Sequence, residues 1–265
     1  MSPWLATCRL CVADIRNELE RLPTRAEREP VLRRGQGGDD TTAIDQAAED
    51  AVVARLAATG EGFVLVSEEL GERAFGSGGS TRVVVDPIDG SVNAKRGIPF
   101  FSFSLAVAEG PTMGDVVFGY VYDFGTGEEW TAEREHGAFL DGAPLSGPGP
   151  KDEVEILSFE GTTTAAIAAR IGDVLGIAGR VRVMGSLALS LCHLAAGRVD
   201  AVCSLKPARS VDIAAAQLLL RERGLAIELI DDPPFHAAPL DLDVRSRVVA
   251  AGSVPQLAEV AAALR

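Results

Sequence analysis

Apolar residues recur at helical spacing near the start of the chain. Over Leu5–Leu22 they repeat without an internal proline or glycine, which predicts an amphipathic helix. A second helix is predicted over Ala43–Ala58, with Asp39 or Asp40 as its N-cap. The intervening residues 24–38 are charged and then rich in glycine, so a mobile loop is predicted there.

Strand-like patterns follow these helices. Short apolar runs at 62–67 and 82–85 predict buried strands. From Phe101 onward, apolar runs alternate with glycine-containing turns, a pattern that is typical of an antiparallel meander. Its predicted strands are 103–108, 115–122 and 128–132, with a further short strand and turn at 137–145.

The second half of the chain alternates strands with helices. It begins after Gly147-Pro148-Gly149-Pro150, which predicts a boundary between an N-terminal lobe, residues 1–150, and a C-terminal lobe, residues 151–265. The predicted elements are strands 154–159, 180–184, 199–203, 225–230 and 246–251 and helices 163–172, 186–196, 211–223 and 254–264. The predicted fold class is therefore an α+β or α/β layered sandwich.

Composition narrows the classes of function. The 265 residues carry a formal net charge of −13, which argues against nucleic acid as a partner but leaves room for a small anionic substrate. No apolar run approaches the roughly 20 residues of a membrane span, and the N-terminus lacks the features of a signal peptide. Four cysteines in a chain of this length do not make a disulfide scaffold, so we expect a cytoplasmic protein without membrane contact.

The stretch Asp-Pro-Ile-Asp-Gly-Ser at residues 86–91 carries the most chemical information. It follows the strand-like run 82–85, so two carboxylates emerge at the carboxyl end of a predicted strand. Hard cations such as Mg²⁺ bind oxygen ligands, and phosphate binds backbone N–H groups at a helix N-terminus. The alternative interpretation is a pair of surface turns, Asp-Pro and Asp-Gly, which are common.

Further acidic residues lie at comparable places. Glu68 follows the first of the predicted strands, and Asp212 opens a predicted helix. Asp45 lies one turn into the helix after the glycine-rich loop. Because hard-metal sites collect carboxylates from several strand ends, these residues are the candidates to join Asp86 and Asp89.

Taken together, these elements resemble the inositol monophosphatase family of Mg²⁺-dependent, lithium-sensitive phosphatases. The resemblance covers nearly the full length, and its motifs occur in family order: Thr42-Ala43-Ile44-Asp45, Glu68-Glu69, Asp86-Pro87-Ile88-Asp89-Gly90-Ser91-Val92-Asn93, Gly97-Ile98-Pro99-Phe100 and Val211-Asp212-Ile213-Ala214-Ala215. The strings at 67–71 and 93–99 are most similar to the archaeal branch, whose members often also hydrolyse fructose 1,6-bisphosphate. The resemblance implies an αβαβα layered sandwich, the inositol monophosphatase or sugar phosphatase-like fold, and a homodimer.

The resemblance also implies a set of metal ligands. Glu68, Asp86 and the backbone carbonyl of Ile88 would hold a first ion. Asp86, Asp89 and Asp212 would hold a second ion, with Asp86 bridging the two. A third ion would bind more weakly, coordinated by Glu68 and water. The cofactor would be two to three Mg²⁺ ions, and Mn²⁺ is an alternative because both metals accept all-oxygen sites.

Catalytic roles follow from the same resemblance. Ser91, oriented by Asp45, would position and help to deprotonate a metal-bound water, and Glu68 would support the same step. The water would attack phosphorus in line, with no covalent intermediate. The N–H groups of Gly90 and Ser91 suit the phosphate oxygens.

Substrate contacts are implied at several matching segments. Residues Gly185, Ser186 and Leu187 match the place where the family's backbone meets the sugar or inositol ring. Thr162 falls in a second contact segment. Asp89 and Asp212 would also border the bound substrate.

The sequence departs from the family at one substrate position. The family usually carries an acidic residue shortly after the strand that begins at Asp200, but residues 202–205 here read Val-Cys-Ser-Leu. This departure argues against tight recognition of inositol. Arg209 and Lys206 could instead meet the second phosphate of a bisphosphate, or they could be solvated loop charges.

The leading hypothesis is a Mg²⁺-dependent phosphomonoesterase acting on inositol 1-phosphate, fructose 1,6-bisphosphate, or both. One alternative is a phosphatase for 3′-phosphoadenosine nucleotides or another sugar phosphate. Another is a catalytically silent regulator that binds metal or a phosphorylated metabolite. Hydrolysis in a substrate panel separates these three hypotheses.

Overall fold

The computed structural model describes residues 2–147, 149, 151, 153–161, 163–231 and 233–265. Its helices there are α1 (Pro3–Arg21), α2 (Arg25–Arg28), α3 (Ala43–Ala57), α4 (Ser91–Arg96), α5 (Thr164–Arg170), α6 (Leu187–Ala195), α7 (Ser210–Glu222) and α8 (Val254–Leu264). Its strands there are β1 (Val31–Arg34), β2 (Asp40–Thr42), β3 (Phe63–Ser67), β4 (Gly71–Phe75), β5 (Arg82–Asp89), β6 (Ser102–Ala108), β7 (Val116–Asp123), β8 (Glu129–Glu133), β9 (Gly137–Leu140), β10 (Ala143–Pro144), β11 (Val154–Glu160), β12 (Ala178–Arg182), β13 (Ala201–Ser204), β14 (Ala226–Leu229) and β15 (Val248–Ala251). None of the helices in these ranges has both the length and the apolarity to cross a bilayer.

Two mixed sheets form the framework. The larger has the strand order β10-β9-β8-β7-β6-β5-β3-β4, and the smaller has the order β12-β11-β13-β15-β14. In the larger sheet β3 and β5 are parallel, and the other neighbours are antiparallel. In the smaller sheet β11 runs parallel to both β12 and β13. The parallel pairs matter for function because their carboxyl ends meet at one edge of each sheet.

Helices and sheets alternate as layers. Leu65 and Val83 on one face of the larger sheet pack in a core with α1 and α3. Val66 and Val84 on the opposite face belong to a second core, which includes α6, α7 and one face of the smaller sheet. The other face of the smaller sheet packs against α8. This order of layers confirms the predicted layered sandwich and follows from the strict alternation of side chains along the strands.

The segment before α3 differs from the prediction. Within residues 24–38, predicted to be a loop, α2 forms a short helix and β1 pairs with β2. All residues of β1 are exposed, so no hydrophobic alternation marks the strand in the sequence. The predicted N-caps Asp39 and Asp40 are wrong: the chain stays extended to Thr42, which is the N-cap of α3. Asp45 then accepts hydrogen bonds from the backbone N–H and the hydroxyl of Thr42.

The predicted lobe boundary falls partly outside the described residues. Of the stretch Gly147–Pro150, Pro148 and Pro150 lie outside the described residues. Both α6 and α7, from the second half of the chain, pack on the larger sheet from the first half. The division at residue 150 therefore stays a prediction.

Candidate active site

A cavity of about 540 Å³ opens where strands of both sheets end. Small-molecule sites commonly have volumes of about 300–1,000 Å³, so its size suits a metabolite. Acidic side chains dominate its polar wall: Asp39, Asp40, Asp45, Glu68, Glu69, Asp86, Asp89, Glu160 and Asp212. The basic residues of the wall are Lys95, Lys206 and Arg209.

Three carboxylates meet at the centre of this wall. Glu68, Asp86 and Asp212 each place an oxygen within 4.8 Å of the other two. Because β3 and β5 are parallel with Ser67 opposite Val85, Glu68, directly after β3, lies beside Asp86 of β5. Asp212 arrives from the first turn of α7.

A break in the regular pairing of β5 places Asp89 beside them. Asp86 pairs with Ser104 and Asp89 with Ser102, and the register shifts between these pairs. Residues three apart face opposite sides of a regular strand, so this bulge is what lets both carboxylates reach the same cavity. Pro87, which has no N–H to donate to a ladder, lies inside the bulge.

Each of the two carboxylates of β5 is held through one of its own two oxygens. Oδ1 of Asp86 accepts a hydrogen bond from the Ile88 N–H at 3.0 Å. Oδ2 of Asp89 accepts from the Ser186 hydroxyl at 2.5 Å and from the Ala188 N–H at 2.8 Å. The second oxygen of each group makes no hydrogen bond to the part of the chain that the structure describes, so it remains available for a ligand.

The electrostatics of the cluster favour a bound cation. Burial raises the pKa of Glu68, Asp86 and Asp89 above the usual range, and repulsion from neighbouring carboxylates adds to the rise. A divalent cation offsets the cost of gathering these negative charges in a desolvated cavity. The donors are all oxygen atoms, the set that Mg²⁺ prefers, so the residues present fit such an ion.

The turn into α4 lies next to this cluster. Gly90 has a φ of +94°, a left-handed conformation that favours glycine. Ser91 begins α4, and its hydroxyl donates to the Ile88 carbonyl at 3.0 Å. Asp45 lines the same cavity, with Oδ2 fixed by Thr42 and with Oδ1 buried and lacking a hydrogen-bond partner among the described residues.

Most of the predicted site residues line this one cavity. They are Asp45, Glu68, Asp86, Ile88, Asp89, Gly90, Ser91, Gly185, Leu187, Arg209 and Asp212. Ser186 is buried behind the wall, where its hydroxyl holds Asp89. Thr162, predicted as a substrate contact, lies outside the described residues.

Glu160 is a site residue that the sequence analysis missed. It ends β11, is only 5% exposed, and lines the cavity. Its carboxylate accepts hydrogen bonds from the hydroxyls of Ser158 and Ser190, each at 2.8 Å, and from the N–H of Gly185 at 2.8 Å. The signal was an acidic residue directly after an apolar strand, the same signal that marked Glu68.

The two predicted cations lie in different surroundings. The side chain of Arg209 is 7% exposed and donates to Glu68 Oε1 at 2.5 Å and to Asp212 Oδ1 at 2.9 Å. Lys206 is half exposed and pairs with Asp39 at 2.8 Å. The interpretation of Arg209 as a solvated loop charge is therefore wrong, whereas a phosphate contact by either residue stays a prediction.

The fold and the cavity together define a layered α/β protein with a cluster of carboxylates that fits a divalent cation. The model of the inositol monophosphatase family matches residues 8–265. The chain therefore belongs to the inositol monophosphatase family, a family of phosphomonoester hydrolases, as its motifs predicted.

Individual relatives agree with this assignment. The chain is 33% identical over 234 residues to the fructose-1,6-bisphosphatase/inositol-1-monophosphatase of Methanothermobacter thermautotrophicus, covering 84% of this chain and 83% of the relative. It is 31% identical to the protein of the same name from Archaeoglobus fulgidus, with 97% of each chain covered. A crystal structure described as an inositol monophosphatase-fructose 1,6 bisphosphatase superimposes with a TM-score of 0.86 at 27% identity, covering 99% of this chain and 100% of that one.

Proposed function

We propose that this chain is a Mg²⁺-dependent phosphomonoesterase that hydrolyses both inositol 1-phosphate and fructose 1,6-bisphosphate. The observation that carries the proposal is the meeting of Glu68, Asp86 and Asp212 within 4.8 Å, in one cavity with Gly90 and Ser91. The archaeal relatives named for both activities support this choice of substrates.

The carboxylates and one carbonyl would hold the metal. Glu68, Asp86, Asp89, Asp212 and the Ile88 carbonyl supply oxygen donors for two to three Mg²⁺ ions, or for Mn²⁺. When bound, these ions would lower the pKa of water and neutralise charge on the phosphate.

The chain's own groups would position the phosphate and move a proton. The N–H groups of Gly90 and Ser91 are proposed to bind phosphate oxygens. The Ser91 hydroxyl would orient the attacking water. As the water attacks, it would give a proton to the Ser91 oxygen while the Ser91 hydroxyl proton passes to Oδ1 of Asp45. Because Thr42 holds the other oxygen of Asp45, Oδ1 keeps a fixed position.

The rest of the cavity would recognise the polyol or sugar. The turn at Gly185–Leu187 would contact the ring, with Asp89 and Asp212 at its border. A second phosphate would meet Lys206 and Arg209, and Lys206 is the better placed of the two because two carboxylates already engage Arg209.

Substitution of Glu160 tests whether the turn at Gly185–Leu187 contacts the substrate. Replacing Glu160 with Gln puts an amide donor where hydroxyl and N–H donors converge, including those of Ser158 and Gly185. We expect E160Q to lower the free energy of unfolding by about 1–3 kcal/mol and to raise KM more than it lowers kcat. Urea unfolding and steady-state kinetics measure both effects. Glu155→Gln, at an exposed position of the same strand, is the control and should change neither; an unchanged KM in E160Q would contradict this role of the turn.

The function itself is tested by phosphate release from inositol 1-phosphate and fructose 1,6-bisphosphate, assayed side by side with Mg²⁺ and with EDTA. We expect hydrolysis of both substrates with Mg²⁺ and of neither with EDTA. Release only from 3′-phosphoadenosine nucleotides would instead support the nucleotide phosphatase. Binding of Mg²⁺ without hydrolysis of any substrate would favour the silent regulator.

We also propose that the protein is a homodimer and that it acts in the cytoplasm. The four cysteines, Cys8, Cys11, Cys192 and Cys203, are buried free thiols, which suits a reducing compartment. Light scattering coupled to size-exclusion chromatography measures the oligomeric state, and a monomeric mass would contradict the dimer.

A further inference from the structure

The Arg209 side chain lies inside the carboxylate cluster. Its Nη1 donates to Glu68 Oε1 at 2.5 Å, and its Nη2 donates to Asp212 Oδ1 at 2.9 Å. Nε adds a longer contact of 3.3 Å to Asp212 Oδ2, which also accepts from the Arg209 backbone N–H at 2.7 Å. One residue therefore holds two carboxylates through three separate nitrogen atoms of its side chain and a fourth of its backbone.

These contacts join parts of the chain that are far apart. Glu68 follows β3 of the larger sheet, and Arg209 lies 141 residues later, at the start of α7. Glu68 and Asp212 thus come from different elements, and the guanidinium bridges them directly. A planar fork of donors fixes the distance and angle between two carboxylates, which a single ammonium group cannot do.

The guanidinium is itself confined. Gly37 packs against it so closely that a Cβ at that position would lie 2.5 Å from Nη1. The side chain is 7% exposed, and Asp39 lies 3.5 Å from Nη1 on the cavity side. The position of the guanidinium is therefore set by its surroundings as well as by the two carboxylates.

The contacts leave an oxygen for a cation. Glu68 is engaged through Oε1, which leaves Oε2 without a hydrogen bond to the described chain. Asp212 Oδ2 accepts two N–H groups, whereas Oδ1 accepts one and retains acceptor capacity. Glu68 is therefore held as Asp86 is, with one oxygen anchored and the other without a hydrogen bond to the described chain. Asp212 differs because Arg209 engages both of its oxygens, so a cation would bind it through the remaining acceptor capacity of Oδ1.

We propose that Arg209 is a positioning residue of the metal site, which holds Glu68 and Asp212 at the spacing that a divalent cation requires. The inference rests on the metal site of the proposed function. The positive charge of Arg209 opposes cation binding through space, but the gain from fixing the two ligands exceeds that repulsion. Groups that orient metal ligands from outside typically contribute about 10- to 100-fold to metal affinity.

The test is the Mg²⁺ dissociation constant, measured by isothermal titration calorimetry without substrate. We expect Arg209→Gln to weaken Mg²⁺ binding about 10- to 100-fold relative to wild type. Arg209→Lys keeps the charge but lacks the fork, so it should also bind more weakly. Lys206→Gln removes a positive charge from the same cavity without touching Glu68 or Asp212, so its binding should be no weaker than that of wild type.

Mg²⁺ affinities that do not fall in the Arg209 variants would overturn the inference. Mg²⁺ binding by R209Q that is unchanged or tighter would mean that Arg209 acts only as a competing cation. Wild-type affinity in R209K would mean that charge, rather than fork geometry, is what the site uses. Thermal unfolding checks that each variant is folded, and R209K carries the test if R209Q does not fold. A wild-type protein that binds no Mg²⁺ would overturn the proposed metal site as well, which separates the two failures.

Discussion

Asp89→Asn is expected to lower Mg²⁺-dependent phosphate release by about 10²- to 10³-fold, the scale on which a single electrostatic group acts in catalysis. Asn has almost the same shape and keeps an oxygen that can accept the hydrogen bonds of Ser186 and Ala188. It lacks the negative charge that the proposed metal site requires. Loss of turnover should therefore come without loss of the fold, and phosphate release together with thermal unfolding measures both.

Asp115 offers a matched control for this substitution. Its Oδ2 accepts from the N–H and the hydroxyl of Thr112 at 2.9 and 2.7 Å, the same pair of donor types that holds Asp89. It does not line the cavity described above. Asp115→Asn should therefore keep wild-type turnover. Wild-type turnover in D89N would remove Asp89 from the proposed site and weaken the assignment of the whole Asp-Pro-Ile-Asp-Gly-Ser stretch.

The centre of the site could be predicted because its residues follow strands that the hydrophobic pattern reveals. Glu68 and Asp86 come directly after apolar runs, and parallel neighbours bring such ends together. Asp212 was marked by the start of an apolar helix. In each case a local sequence pattern identified the carboxylate. The pairing of β3 with β5 and the packing of α7 then bring the three carboxylates together.

The groups that orient these carboxylates could not be predicted in the same way. Ser186 reaches Asp89 across 97 positions of sequence, and Arg209 reaches Glu68 across 141. Such hydrogen bonds depend on how two sheets and the helices between them pack, and no periodic pattern encodes that packing. Strand β1 was missed for a different reason, since its pairing with β2 is made by backbone groups while its side chains stay in solvent.

A second large effect is expected at Glu49, a buried carboxyl of α3 that lies outside the proposed ligand set. It is nearly inaccessible to solvent, and Oε2 accepts a hydrogen bond from the Ser67 hydroxyl at 2.6 Å. Burial raises its pKa from 4.5 to about 7, and the nearby negative charge of Glu69 adds to the rise. In the unfolded chain the pKa returns to the ordinary value, so the folded state binds more protons between these two values.

The sign of the pH effect follows from this difference. Where the folded state binds more protons than the unfolded state, stability falls as pH rises. Well below pH 4.5 the Glu49 carboxyl is protonated in both the folded and the unfolded state, so its burial lowers the free energy of unfolding little. Above about pH 7 it is charged, and the buried charge destabilises the folded state. Glu49→Gln keeps the shape and removes the titration. We expect the stability of E49Q relative to wild type to increase by about 2–3 kcal/mol between pH 5 and pH 9.

Urea unfolding at several pH values, in buffer containing EDTA so that metal binding does not vary with pH, measures this difference. Comparing each variant with wild type cancels the titration of the other carboxylates of the cavity. Asp50→Asn, at the exposed neighbouring position of α3, is the control and should show a much flatter difference. A pH-independent difference for E49Q would mean that the fold accommodates the Glu49 charge at no cost, and burial of this carboxyl could then no longer explain a loss of stability at alkaline pH.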